Sequence, residues 1–197
     1  MRVLLMAAVA SGFVLLQTTA GGGEKKEGEP FAKAKPGPEH KLLAKLKGTY
    51  IAKIKMWMGP GEPKDSAGTT KRTVIMDGLF LQENHTGEFF GMKFKGMGIV
   101  GYDTLKKKYV MGWIDNFGTS MVMAEGTYDP AAKAWTYTGE EESPEMGKMK
   151  MRDVLTVISD DEQRLEMYRT PLKGGNEFKM MEIVYTRAPE VKKKKVD

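Results

Sequence analysis

The sequence predicts an all-β fold: an up-and-down antiparallel β-barrel of about ten strands with a short N-terminal capping helix. Three observations predict it. Beyond Gly48 the chain breaks into short runs rich in β-branched, aromatic and Met side chains, separated by Gly, Pro, Asp and Asn. The connections between runs leave no room for crossover helices, which makes neighbours antiparallel. Ten hairpin-linked strands left as an open sheet would expose two edges, and closure removes both.

The chain opens on Met1 and Arg2, continues through an apolar stretch over residues 3–16 and ends in the small residues Thr18, Thr19 and Ala20. This order reads as a signal peptide over residues 1–20, cut after Ala20. The apolar stretch is shorter than the ~20 residues of a spanning helix, and Gly12 interrupts it. The expectation is therefore an exported protein, periplasmic or secreted, with no integral membrane span once the signal is removed.

Residues 21–38, GGGEKKEGEPFAKAKPGP, have almost nothing to bury and read as a flexible linker. The barrel domain is expected over residues 39–188. Residues 39–46 place Leu42, Leu43 and Leu46 at helical spacing and Gly48 ends them, which gives the capping helix. The expected strands are 49–58, 69–76, 79–86, 93–102, 108–115, 119–128, 134–140, 149–159, 164–170 and 177–186.

Met76-Asp77-Gly78-Leu79 reads as a two-residue Asp-Gly hairpin, and Asp103 and Asp129 lead two further turns. Glycines 96, 98, 101, 112 and 126 fall inside strands, where they mark bends or close packing in a barrel wall. Residues 189–197 form a basic tail expected to be solvated.

The 197 residues suffice for one core, and the formal net charge is +5. Four of those charges are Lys192 to Lys195 and one is Arg2, while Asp197 takes one away, so the barrel region is close to neutral. No nucleic-acid partner is expected from a neutral wall. There is no cysteine, which excludes disulfides, thiolate metal sites, Cys nucleophiles and a lipid anchor on Cys.

Several short stretches carry a resemblance to a known family. They are Pro38-Glu39-His40 with Leu43, Gly48-Thr49-Tyr50, Gly96-Met97-Gly98 leading to Gly101-Tyr102-Asp103, and Gly112-Trp113-Ile114-Asp115. Glu125-Gly126-Thr127 with Asp129, and Met181-Glu182-Ile183 with Tyr185-Thr186-Arg187, continue the pattern. In this order they resemble the DUF1579 family over residues 38–188. The resemblance implies a lipocalin-like or fatty-acid-binding-protein-like calycin barrel and no agreed activity or catalytic residues. Leu79 stands where many relatives have Arg, so no role for that arginine is carried to this chain.

Only His40 and His85 offer an imidazole, and they lie in different elements. No His-x-x-x-His spacing, nucleophile elbow or phosphate loop occurs, so an enzyme is the less favoured reading and no metal or cofactor is expected. His85 shares a strand face with Leu79, Leu81 and Glu83, which puts it either inside the barrel near a carboxylate or at the rim as a cap on the strand. Asp115 closes the face of Tyr109, Met111 and Trp113, and Glu182 interrupts an apolar strand. A buried carboxylate needs a partner, and Arg72 and Arg152 are the candidates.

Methionine is abundant, at 16 residues. Met56/Met58, Met121/Met123 and Met149/Met151 each put two thioethers on one strand face. Thioethers suit Cu(I), and they also serve as adaptable apolar lining; the lining needs no special geometry. Trp57, Trp113 and Trp135 suit a cavity wall or a core. The candidate cavity-lining residues are Met56, Arg72, His85, Met111, Trp113, Asp115, Met121, Met123, Arg152 and Glu182. The functional expectation is a non-catalytic barrel holding a small apolar or amphipathic ligand. The alternatives are an enzyme using a His–carboxylate pair in the cavity and a structural envelope-associated domain.

Overall fold

The computed structural model describes residues 32–143 and 147–189. The expected signal peptide, most of the linker and the basic tail from residue 190 onward lie outside them. Helix α1 (Pro38–Ala44) precedes ten strands: β1 (Gly48–Met56), β2 (Lys64–Ile75), β3 (Phe80–Phe89), β4 (Met92–Asp103) and β5 (Lys108–Asp115), then β6 (Val122–Asp129), β7 (Ala134–Ser143), β8 (Gly147–Val157), β9 (Glu162–Pro171) and β10 (Phe178–Arg187). Each expected run forms one strand.

Every strand pairs antiparallel with its sequence neighbours, and β1 pairs with β10 from Tyr50↔Arg187 to Met56↔Met181, which closes the barrel. Closure leaves no unpaired edge. One expected turn differs. β2 and β3 close on the pair Ile75↔Phe80, so the connection has four residues. Met76, Asp77 and Gly78 take φ of 50°, 56° and 96° in a 3-10 turn, in place of the two-residue hairpin.

α1 begins with Pro38 in its first turn, where no backbone donor is lost. The His40 Nδ1 accepts the Gly37 N–H at 3.1 Å, and the ring packs edge-on against Tyr102. Leu43 and Leu46 are buried in the mouth of the barrel. Burying a Leu of this kind stabilises by about 1.5–3 kcal/mol.

Inside, the alternation of side chains builds two apolar clusters. One joins Leu43, Leu46, Leu81, Tyr109, Trp135, Tyr137 and Met151, and the other Tyr50, Ile54, Phe89, Ile183 and Tyr185. Trp113 lies flat on the wall because Gly96 has no side chain: a Cβ there would sit 2.2 Å from the indole. The in-strand glycine is thus a close-packing site, as expected of a wall residue.

Candidate functional site

Strand parity brings a set of polar side chains into the interior. Near the helix end, Arg72 of β2 donates from Nε to the Glu83 carboxylate of β3 at 2.5 Å and from Nη1 to Gln163 Oε1 of β9. Its guanidinium lies 4.5 Å from the Tyr185 ring centroid and 5.2 Å from that of Tyr50. Gln163 in turn donates to the Tyr50 hydroxyl at 3.0 Å. The Nε and Nη1 donors therefore meet acceptors and the guanidinium plane meets two π faces, which offsets the cost of burying the charge. Burial raises the Tyr185 phenol well above its ordinary range.

A second guanidinium centre sits toward the opposite end. Arg169 of β9 bonds Glu141 of β7 at 2.5 Å and Asp153 of β8 at 2.6 Å. Burial pushes the Asp153 carboxyl up to about 6, against the pull of Arg169 and with the Glu141 charge adding to the rise.

His85 of β3 lies two residues along the same strand face from Glu83, opposite Thr70 of β2. Its Nδ1 shares a hydrogen bond with Thr70 Oγ1 at 2.8 Å, and its Nε2 is buried with no hydrogen-bond partner among the described residues. The ring leans over Gly68, where a Cβ would come within 2.6 Å of Nε2. Burial lowers the imidazole pKa, Arg72 lowers it further, and Glu83 opposes both. The ring is thus held neutral.

α1 packs on β3 and β4. A cleft of about 670 Å³ opens between α1 and the ends of β4, β5 and β6. Tyr102, Tyr109, Tyr128 and Leu42 form its wall, and Lys41, Lys45, Lys107 and Glu39 stand around it. Tyr109 is a core residue that also packs edge-on against Trp135, so the cleft floor is the top of the apolar core.

A family model for a protein of unknown function, DUF1579, matches residues 35–187, which is most of the chain and includes the whole barrel. The chain belongs to the DUF1579 family. No curated protein matches the sequence. Among solved structures the chain is similar to a redesigned β barrel, at 17% identity over 75% of this chain and 96% of that one, with a TM-score of 0.39.

In this DUF1579 chain the residues singled out from sequence separate into three groups. Met56, Arg72, His85, Met111 and Trp113 face the interior, with Arg72 and His85 fully buried and the others half-buried. Asp115, at the end of β5, accepts the Trp113 indole N–H at 3.0 Å and the backbone N–H of Phe117 and Gly118, so it fixes a loop and, among the described residues, pairs with no arginine.

Four of the ten face outward, which corrects their expected place in a cavity wall. Arg152 grips Glu177 with Nη2 2.6 Å from a carboxylate oxygen and lies 4.0 Å from the Tyr168 ring centroid. Glu182 pairs with Lys179 at 3.0 Å. Met121 and Met123 border an outer groove of about 260 Å³ with Phe80, Met97, Ile99 and Ile114. The reason is parity: Arg152 alternates with the inward Met151 and Asp153, and Glu182 with the inward Met181 and Ile183.

The three methionine pairs do not converge. Met149 and Met151 are core, Met56 is half-buried, Met58 is exposed, and Met121 and Met123 are outside. Among the described residues no group of three or more His, Cys, Asp or Glu is placed to hold a metal ion. No described helix is long and apolar enough to cross a membrane.

Proposed function

We propose that this chain is an exported, non-catalytic barrel that holds a small apolar or amphipathic molecule in the cleft at its helix end. The observation that carries the reading is the cleft itself: about 670 Å³, walled by three tyrosines and a leucine, and floored by the packed core. Ligand sites are concave, mostly apolar and of roughly 300–1,000 Å³, with a few polar groups to fix orientation. Export is the reading of the N-terminal order of charged, apolar and small residues.

The interior geometry weighs against acid–base catalysis at His85. A general base needs a reacting proton within reach. Here Glu83 is committed to Arg72, the His85 Nδ1 to Thr70, and the open Nε2 is buried against the backbone of Gly68 and Gly87. Native mass spectrometry of the purified full chain tests the binding reading directly. The expected result is a co-purified small molecule or, after delipidation, one-to-one uptake of an apolar probe. Leu42→Trp, which fills the cleft wall, should weaken that uptake, and uptake unchanged by it would move the ligand elsewhere.

A further inference from the structure

We infer that the molecule held in this cleft is an anionic amphiphile, its head group among Lys41, Lys45 and Lys107 and its apolar body against the tyrosines. The inference rests on the reading of the cleft as the ligand site.

Lys41 lies on α1 and Lys45, four residues on, is its C-cap with helical backbone angles, so the two stand on one side of the helix. Lys107 comes from the opposite side, in the β4–β5 turn, where φ of 54° turns the chain sharply. These three ammonium groups meet one carboxylate, Glu39, along the cleft. None of the three has an ion-pair partner among the described residues, whereas the adjacent Lys106 is paired with Glu125 at 2.7 Å.

Elsewhere on the wall Arg152 is matched with Glu177, Lys179 with Glu166 and Glu182, and Lys148 with Glu142, and the described lysines that stay unpaired there border no tyrosine-walled hollow, whereas Lys41, Lys45 and Lys107 gather around one. An excess of unmatched cations around an apolar cleft raises the local positive potential and draws anions to it. The wall beneath is aromatic. Tyr102 and Tyr109 pack edge-to-face at 5.0 Å, and Tyr128 leans on Trp135 at 4.5 Å, so rigid ring surface faces the ligand body. A neutral hydrocarbon would use the rings and leave the lysines idle. A small inorganic anion would do the reverse. A molecule with a carboxylate, sulfonate or phosphate head on an apolar body uses both.

Two dyes of the same aromatic body separate these cases in the full chain: 8-anilinonaphthalene-1-sulfonate, which is anionic, and N-phenyl-1-naphthylamine, which is neutral. The anionic dye should bind at least tenfold more tightly, and its affinity should fall as salt rises from 0.05 to 0.5 M. The triple variant Lys41→Glu, Lys45→Glu, Lys107→Glu should lose at least tenfold for the anionic dye and change the neutral one by less than twofold. The corresponding Gln triple should move the same way by a smaller factor. A control triple on the outer wall, Lys53→Glu, Lys71→Glu, Lys150→Glu, should leave both dyes unchanged. Equal affinity for the two dyes, or an anionic-dye affinity indifferent to the cleft lysines, overturns the inference and leaves the cleft reading standing. Failure of both dyes to bind overturns the cleft reading itself.

Discussion

Arg72 and Glu83 form an ion pair at 2.5 Å between adjacent strands in the barrel interior, with the guanidinium side chain 3% and the carboxylate side chain 18% exposed. Gln163, Tyr50 and Tyr185 complete the surroundings of the guanidinium. The pair spans β2 and β3, and the bond to Gln163 ties both to β9, so it locks three strands into one register.

Removing one partner of such a pair leaves the other charged and poorly solvated, which costs about 3–5 kcal/mol. Arg72→Met should therefore lower the free energy of unfolding in urea by that amount. The double variant Arg72→Met, Glu83→Gln should recover most of the loss, since no buried charge is then left alone. A double variant as unstable as the single would mean that ring packing, and not charge, is what Arg72 supplies.

Asp153 sets a pH dependence of definite sign. Its carboxyl is pushed up to about 6 in the fold, above the ~3.9 of an unfolded Asp, so between those values the native state binds more protons. This contribution to stability is complete below about pH 4 and is lost as pH rises toward 6, on the order of 2–3 kcal/mol. Asp153→Asn should flatten that slope. Urea titrations at pH 4, 5, 6 and 7 measure it.

His85 acts in the opposite sense. Its folded pKa is lowered by burial, so the unfolded chain binds more protons in the window beneath ~6.5, and stability falls as pH falls through it. The two windows overlap, so wild type alone would show a muted profile. In the Asp153→Asn background the acid-side loss due to His85 should stand out, and adding His85→Asn should remove it. A slope that persists in that double variant would point to another group.

The strands were legible from composition and turn residues because closure of a meander needs only local hairpins. The sites were less so. Leu165, Met167 and Arg169 alternate unambiguously with Arg164, Glu166 and Tyr168, and Asp153 shares its face with Met149, Met151 and Leu155. Parity alone could have found the Arg169 centre and turned Arg152 outward. At Met121-Val122-Met123-Ala124 both parities are apolar, so the pattern cannot choose a face. In β10 the irregularity between Lys179 and Met181 shifts the phase, which no composition rule announces. The cleft escaped notice because Lys41, Lys107 and Tyr128 come from three separate elements.

Gly96 predicts a packing failure. A methyl group there would meet the Trp113 ring at 2.2 Å, and a Cβ at the neighbouring Gly98 would also come within 3.1 Å of it, so the ring lies close on this stretch of β4. Gly96→Ala should destabilise by about 1–3 kcal/mol and shift the Trp113 fluorescence, as overpacking usually does. Pairing it with Trp113→Leu should cost less than the two single losses added, because the smaller side chain makes room for the new methyl.

The methionines give the sharpest contrast between outside and inside. Met121 and Met123 are 63% and 57% exposed, while Met149 and Met151 are 4% and 3% exposed. Replacing the outer pair by Leu keeps the groove apolar, removes no buried contact and should change stability by less than about 0.5 kcal/mol per site. Replacing Met149 or Met151 by Ala opens a cavity in the core and should cost about 2–5 kcal/mol each. The outer pair also lies away from the cleft, so binding of either dye should survive Met121→Leu, Met123→Leu unchanged. Loss of dye binding in that variant would place the ligand in the outer groove, against Phe80 and Ile99, and remove the tyrosine cleft from consideration.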